Sequence, residues 1–160
     1  MEIRANYNRK IQLESGFTLQ SSKFDNPVQY IDGIKEIPEF TRTPNDYGYA
    51  ILNFTLNKKW NTTLNYIYTG KMKIPHFAGA PNQLKDEIVT SDVFSELSTK
   101  VSYTFPLDQL GTSIELYCGI KNIFNAYQED FDVGKNRDSN YIYGPAQPRI
   151  FYIGLKLKSK

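Results

Sequence analysis

The 160 residues carry 19 Lys+Arg against 17 Asp+Glu, a formal charge of +2 that is too small, and too scattered along the chain, to form an electrostatic footprint for nucleic acid. Aromatic residues make up 14%, with 12 Tyr and 10 Phe, which excludes a disordered or low-complexity chain. No apolar run approaches the roughly 20 residues of a membrane-spanning helix, and Met1 leads at once into an alternating segment, as though a longer mature chain had been cut internally.

Period-two alternation recurs along the chain, whereas helical periodicity is poor, so the fold class is all-β. Ile3, Ala5 and Tyr7 oppose Glu2, Arg4 and Asn6; Ile11, Leu13, Phe17 and Leu19 then oppose Gln12, Glu14, Thr18 and Gln20. Ala50, Leu52, Phe54 and Leu56 stand against Asn53, Thr55 and Asn57. Trp60, Leu64, Tyr66 and Tyr68 stand against Asn61, Thr63, Asn65 and Thr69, with Ile67 and Thr62 as two exceptions. Leu97, Val101, Tyr103 and Phe105 oppose Glu96, Ser98, Lys100, Ser102 and Thr104. Ile114, Leu116, Cys118 and Ile120 oppose Ser113, Glu115 and Lys121, and Phe151, Ile153, Leu155 and Leu157 oppose Tyr152, Lys156 and Lys158. This pattern predicts about seven strands.

The connections alternate between short ones, near Asn8–Lys10, Asn57–Lys59 and Pro106–Gly111, and long ones at roughly Phe24–Asn45, Lys71–Val93 and Asn125–Gln147. The long stretches are rich in Pro, Gly, Asn and Asp and show no clear periodicity. Three loops of about twenty residues are rare in a compact domain. All at one end of an antiparallel up-and-down meander, they match outer-membrane barrels, whose periplasmic turns are brief and whose extracellular loops are extended. The strands have the length of about 9–11 residues needed to cross hydrocarbon when tilted. Trp60 and Phe105 beside short turns, and Tyr66 and Tyr68 beside a long loop, sit where interfacial girdles place amphipathic rings. With the short turns in the periplasm, an odd strand count starting outside leaves Lys160 in the periplasm.

Asn122-Ile123-Phe124-Asn125, after the strand at 113–121, resembles the asparagine–aliphatic–phenylalanine–asparagine/aspartate signature that ends the penultimate strand of TonB-dependent receptors. Tyr143-Gly144-Pro145-Ala146-Gln147-Pro148-Arg149-Ile150-Phe151-Tyr152-Ile153-Gly154-Leu155 is similar to their last strand, and the long-loop style resembles Bacteroidetes-type members. The resemblance covers essentially all of residues 1–160. It implies the C-terminal part of a larger transmembrane β-barrel in the bacterial outer membrane, within an energy-coupled importer of a bulky nutrient such as a siderophore, cobalamin or glycan. That barrel has about 22 strands and holds a plug; no plug or TonB-binding segment is present here, so the implied partners are membrane lipid, the remaining strands and plug, TonB through that plug, and the ligand. An open sheet edge is costly in lipid, so the seven strands are expected to belong to a fragment or to be completed by a partner chain.

Tyr47, Arg137, Tyr141 and Tyr143, with Tyr49, lie in or beside the long loops, where they are candidates for an external ligand surface; the alternative is a girdle with ordinary loop packing. His76, the only histidine, is a further ligand candidate, but without a second ligand at metal spacing it reads as a solvent-exposed loop residue. Residues 130–138 superficially suggest a calcium loop, yet lack the third ligand before the glycine and the bidentate Glu, so they read as solvated loop. Glu14, Glu96, Lys100, Glu115 and Lys121 have the parity of the barrel interior, where they would line a hydrated lumen or meet a plug. No nucleophile–base pair, phosphate cradle, metal set or cofactor motif is present, and Cys118 has lipid-face parity, so no enzyme chemistry is expected. A soluble β-sandwich binding module is the alternative; its Greek-key links would not alternate strictly in length.

Overall fold

The computed structural model describes residues 1–130, 132–144 and 147–159. Phe131, the Pro145–Ala146 step of the terminal motif and Lys160, to which the sequence assigns the periplasmic end, lie outside the described residues.

Eleven strands follow in chain order: β1 (Glu2–Tyr7), β2 (Ile11–Leu19), β3 (Lys23–Val28), β4 (Ile37–Glu39), β5 (Asp46–Thr55), β6 (Trp60–Thr69), β7 (Lys73–His76), β8 (Glu87–Thr90), β9 (Phe94–Leu107), β10 (Thr112–Lys121) and β11 (Ile150–Ser159). Seven of them form one antiparallel meander, in the order β1-β2-β5-β6-β9-β10-β11, with β1 and β11 at its edges. The architecture is all-β, with a seven-stranded sheet that is not closed.

The register carries the alternation intact across the sheet. Ala5, Leu13, Leu52, Leu64, Thr99, Ile120 and Phe151 form one continuous row on the apolar face. One residue along, Asn6, Gln12, Asn53, Thr63, Lys100, Gly119 and Tyr152 form a row on the other face. A slip of one residue at any ladder would mix the two faces, so the patterning itself fixes the pairing. Thr62 and Ile67, the two exceptions in the pattern, take the faces their parity dictates, with Thr62 opposite Phe54 and Val101 and Ile67 opposite Tyr49 and Glu96.

Among the described residues no second layer lies over the apolar face. Among the described residues of the seven strands, only Ser102 and Glu115 are buried, and both lie on the polar face. Phe151, Ile153, Leu155 and Leu157 are 64–75% exposed. Near the short-turn end, Trp60 meets Tyr103 edge-on at 4.8 Å and Tyr103 meets Phe105 at 4.5 Å; at the opposite end Phe17 stacks on Tyr68 at 6.3 Å.

On the polar face two tyrosines cover two glycines reciprocally. Tyr117 is paired with Gly154 and Tyr152 with Gly119, and each ring lies where the glycine's missing Cβ would project. Tyr49 covers Gly16 in the same way between β2 and β5. Rings laid over glycines protect the ladder and let the sheet curve toward that face.

The long connections are not structureless. The first contains the β3–β4 hairpin and the second the β7–β8 hairpin, so the absence of periodicity read from their sequences is corrected: Pro27 and Pro75 lie inside these short strands and disguise them. The β9 strand also runs through Pro106 to Leu107, and the 3-10 turn Asp108–Leu110 then leads to Gly111 at φ +59°. The small buried hydrophobic core, Met72, Ile74 and Tyr141 with Val89 and Tyr143 packed on it, belongs to these connections and not to the large sheet.

Candidate functional site

The chemistry-bearing residues gather at the long-connection end, where the second and third connections are knit together. The Ser91 hydroxyl accepts from the Met72 amide at 3.0 Å, and the Ser91 amide donates to the Met72 carbonyl at 2.9 Å. This closes the base of the β7–β8 hairpin. At its tip, the His76 ring lies flat on Tyr141, with centroids 3.9 Å apart and planes at 8°. His76 Nε2 is 3.0 Å from Asp132 Oδ2, which also accepts from the Asp138 amide at 3.0 Å. Asp138 in turn accepts from the Phe77 amide at 2.8 Å. His76 is 8% exposed. Its reading as a solvent-exposed loop histidine is therefore overturned: it is a buried strand residue, because a carboxylate and a phenol from the third connection cover it.

Tyr141 and Tyr143 point their hydroxyls at one carboxylate, donating to Asp130 Oδ2 at 2.7 Å and Oδ1 at 3.0 Å. Gln128, also buried, donates from Nε2 to the Tyr141 carbonyl at 3.2 Å and accepts the Tyr143 amide at 3.0 Å. Burial, then the hydrogen bond to Asp130 and its charge, push the Tyr143 phenol up to about 12 and that of Tyr141 higher still. Burial alone would raise the Asp130 carboxyl, but the two phenol donors outweigh it and hold the group below its ordinary value. The first connection joins through Arg42, whose amide donates to the Lys73 carbonyl at 2.7 Å and whose guanidinium donates to the Asn140 carbonyl.

His76, Tyr141 and Tyr143 are thus brought together, and Tyr47 and Arg137 are not. Tyr47 lies inside β5, opposite Thr18 and Thr69 on the polar face, and Arg137 is exposed in the third connection. The residues that organise the cluster, Gln128, Asp130, Asp132 and Asp138, were not legible as partners. The 130–138 stretch is a largely exposed loop, as expected from its sequence, but its acids also accept hydrogen bonds from phenols and amides, and Asp132 meets the His76 imidazole. Beside the cluster a cavity of about 400 Å³ is lined by Asp92, Phe94, Tyr127, Glu129, Asp130 and Tyr143. No group of three His, Cys, Asp or Glu suited to a metal occurs among the described residues.

The motif at 122–125 builds the hinge under this cluster. Asn122 and Asn125 adopt φ of +51° and +54°, a conformation that asparagine tolerates better than most residues. The buried Asn122 amide donates to the carbonyls of Ala126 at 2.7 Å and Gln147 at 3.3 Å, and its oxygen accepts from the Ala126 amide at 2.8 Å. Asn125 accepts from the Arg149 amide at 2.8 Å. Two asparagines therefore clamp both ends of the third connection to the top of the sheet.

Glu14, Glu96, Lys100, Glu115 and Lys121 all lie on the polar face. Glu14 meets Arg4 and the Tyr49 hydroxyl, each at 3.4 Å. Glu96 accepts from the Ser98 hydroxyl at 2.9 Å. Glu115 sits between Lys100, at 3.4 Å, and Lys158; Lys100 also lies 4.6 Å from the Tyr117 ring centre. Cys118 lies on the opposite, apolar face and is exposed. In comparisons with known proteins, no family model, curated protein or solved structure matches the chain.

Proposed function

We propose that residues 1–160 form the C-terminal part of the barrel wall of a TonB-dependent outer-membrane receptor, which imports a bulky nutrient such as a siderophore, cobalamin or glycan. The observation that carries this reading is the single-layered sheet itself. Its large apolar side chains are uncovered on one face, and its ion pairs lie on the other. A soluble sandwich needs a second sheet over the apolar rows, and none is found among the described residues. In a bilayer the cover is hydrocarbon.

The dimensions support it. Trp60 and Tyr68 bracket β6 eight residues apart, about 27 Å along the strand at ~3.4 Å per residue and about 21 Å along the membrane normal at a tilt near 40°. That is close to the ~25 Å apolar band of outer-membrane barrels. The free edges β1 and β11 each present a row of unpaired backbone groups, which lipid does not tolerate, so further strands complete the wall. The clustered connections form part of the external surface, and a plug and TonB, outside these residues, supply gating and energy.

Fractionation of producing cells tests the reading. The protein is expected in the outer-membrane fraction, resistant to alkaline extraction and released only by detergent. Recovery as a folded, detergent-free protein in the soluble fraction would overturn it.

A further inference from the structure

On the polar face a second cavity, of about 370 Å³, opens toward the long-connection end between β6, β9, β10 and β11. Gly119 stands between Lys100 and Tyr152 in the row that crosses its floor, and the Tyr152 ring lies over this step, where a Cβ would otherwise project. Around that step the lining includes Asn65, Ser98, Lys100, Lys121 and Tyr152, with Glu96 as the one acid.

The groups in this cup are unevenly matched. Ser98 already donates to Glu96, and Lys100 gives part of its hydrogen-bonding capacity to Glu115. Among the described residues, the Lys121 ammonium, the Tyr152 hydroxyl and the Asn65 amide have no hydrogen-bond or ion-pair partner. Two ammonium groups against one carboxylate leave an excess positive charge, and the neutral groups add directional donors. Such a set is satisfied by an oxygen-rich anion: ammonium groups supply attraction, while the phenol and amide fix its orientation.

We infer that this cup is a subsite for an oxyanion, a carboxylate, phosphate or sulfate group borne by the imported molecule. The inference rests on the reading of the polar face as the wall of an import path, and it adds the chemical class of cargo that the wall favours. Lys121 and Lys100 hold its charge, and Tyr152 and Asn65 donate to its oxygens.

The test uses outer membranes from cells producing the protein with Cys118→Ser, so that an introduced thiol is the only one among these residues. Asn65→Cys keeps both lysines; Thr63→Cys, on the same wall, serves where the first variant does not assemble. The thiol is treated with a negatively charged sulfonate reagent and with a positively charged trimethylammonium reagent of the same thiosulfonate class. A net local charge changes these rates in opposite directions, and a ratio of about tenfold in favour of the anion is expected at low salt, collapsing toward unity in Lys121→Gln and at high salt. Citrate, inorganic phosphate and inorganic sulfate, tried separately, should slow the anionic reaction and show which oxyanion fits. Reaction with both reagents at equal rates, or faster with the cation, would sink the oxyanion subsite while leaving the water-filled wall standing. Failure of either thiol to react with either reagent would remove the import path itself, and the subsite with it.

Discussion

Leu64 lies halfway along β6, four residues from Trp60 and four from Tyr68, with Leu52 and Thr99 beside it in the apolar row. It is 38% exposed, with no second layer over it among the described residues. Its surroundings can be identified by two substitutions made in parallel. If hydrocarbon covers Leu64, Leu64→Ala costs less than about 1 kcal/mol, because mobile lipid tails refill the vacated space. Leu64→Lys at the same place costs about 2–4 kcal/mol, the penalty for a cation near the bilayer midplane. A protein core reverses the first expectation: there Leu→Ala leaves a cavity and costs about 2–5 kcal/mol. Water reverses the second, since a lysine on a wetted surface costs close to nothing. The assay is a urea titration of the membrane-assembled protein, followed by Trp60, the one tryptophan of the chain. At a slope of about 1–3 kcal/mol per molar urea, a 3 kcal/mol loss moves the midpoint down by about 1–3 M. Asn65→Lys, one residue along on the polar face, should move it far less. Equal large losses for Leu64→Ala and Leu64→Lys, or no loss for Leu64→Lys, would refute the reasoning.

Asn122→Ala removes three hydrogen bonds from a buried clamp and is expected to cost about 2–4 kcal/mol, since it leaves the Ala126 amide and carbonyl without their partner. Limited proteolysis should then open the connection after Asn125 while β10 and β11 stay protected. Acid acts on the phenol–carboxylate knot through Asp130: its carboxyl is depressed in the folded state, so its contribution is complete above the ordinary value of 3.8 and is lost as pH falls below it. Alkali acts through the phenols: Tyr143 is raised, so its contribution is complete below 10.0 and disappears as pH rises through about 12. An ultraviolet titration of tyrosinate should show the Tyr141 and Tyr143 phenols ionising late, both returning toward ordinary behaviour in Asp130→Asn. Gly119→Val would drive a side chain into the Thr99 carbonyl and the Tyr152 ring, at an expected cost of about 1–3 kcal/mol. Tyr152→Ala should relieve only part of it, because the carbonyl cannot move aside; full rescue would show that the ring alone sets the limit.

The large sheet was legible because its information has the period of the backbone. Nearly every second residue along β2, β6, β9 and β10 reports the face it occupies, and scattered exceptions such as Ser15, Thr62, Ile67 and Thr99 are too few to shift a register. The small hairpins were hidden for the opposite reason. Lys23–Val28 and Lys73–His76 each contain a proline, and Ile37–Glu39 spans three residues, too short for a period to appear. The site shows the same divide. Glu14, Glu96, Lys100, Glu115 and Lys121 were placed on one face by parity alone. The burial of His76 depends on Asp132 and Tyr141, 56 and 65 positions away in sequence, and no local pattern announces such a contact. Tyr141 and Tyr143 carried a faint signal in their spacing of two, which points both rings the same way in extended chain; their shared acceptor, Asp130, carried none.

The central claim is that one face of the sheet meets hydrocarbon and the other meets water. Cys118 offers the most direct test, because it is the chain's single cysteine and lies on the apolar face of β10. A nitroxide attached to Cys118 in isolated outer membranes should relax readily with molecular oxygen, which concentrates in lipid, and weakly with a polar nickel chelate. The same label at Asn53→Cys, in a Cys118→Ser background, should show the reverse. A Cys118 label relaxed mainly by the nickel chelate, or shielded from both reagents as in a protein core, would contradict the membrane assignment.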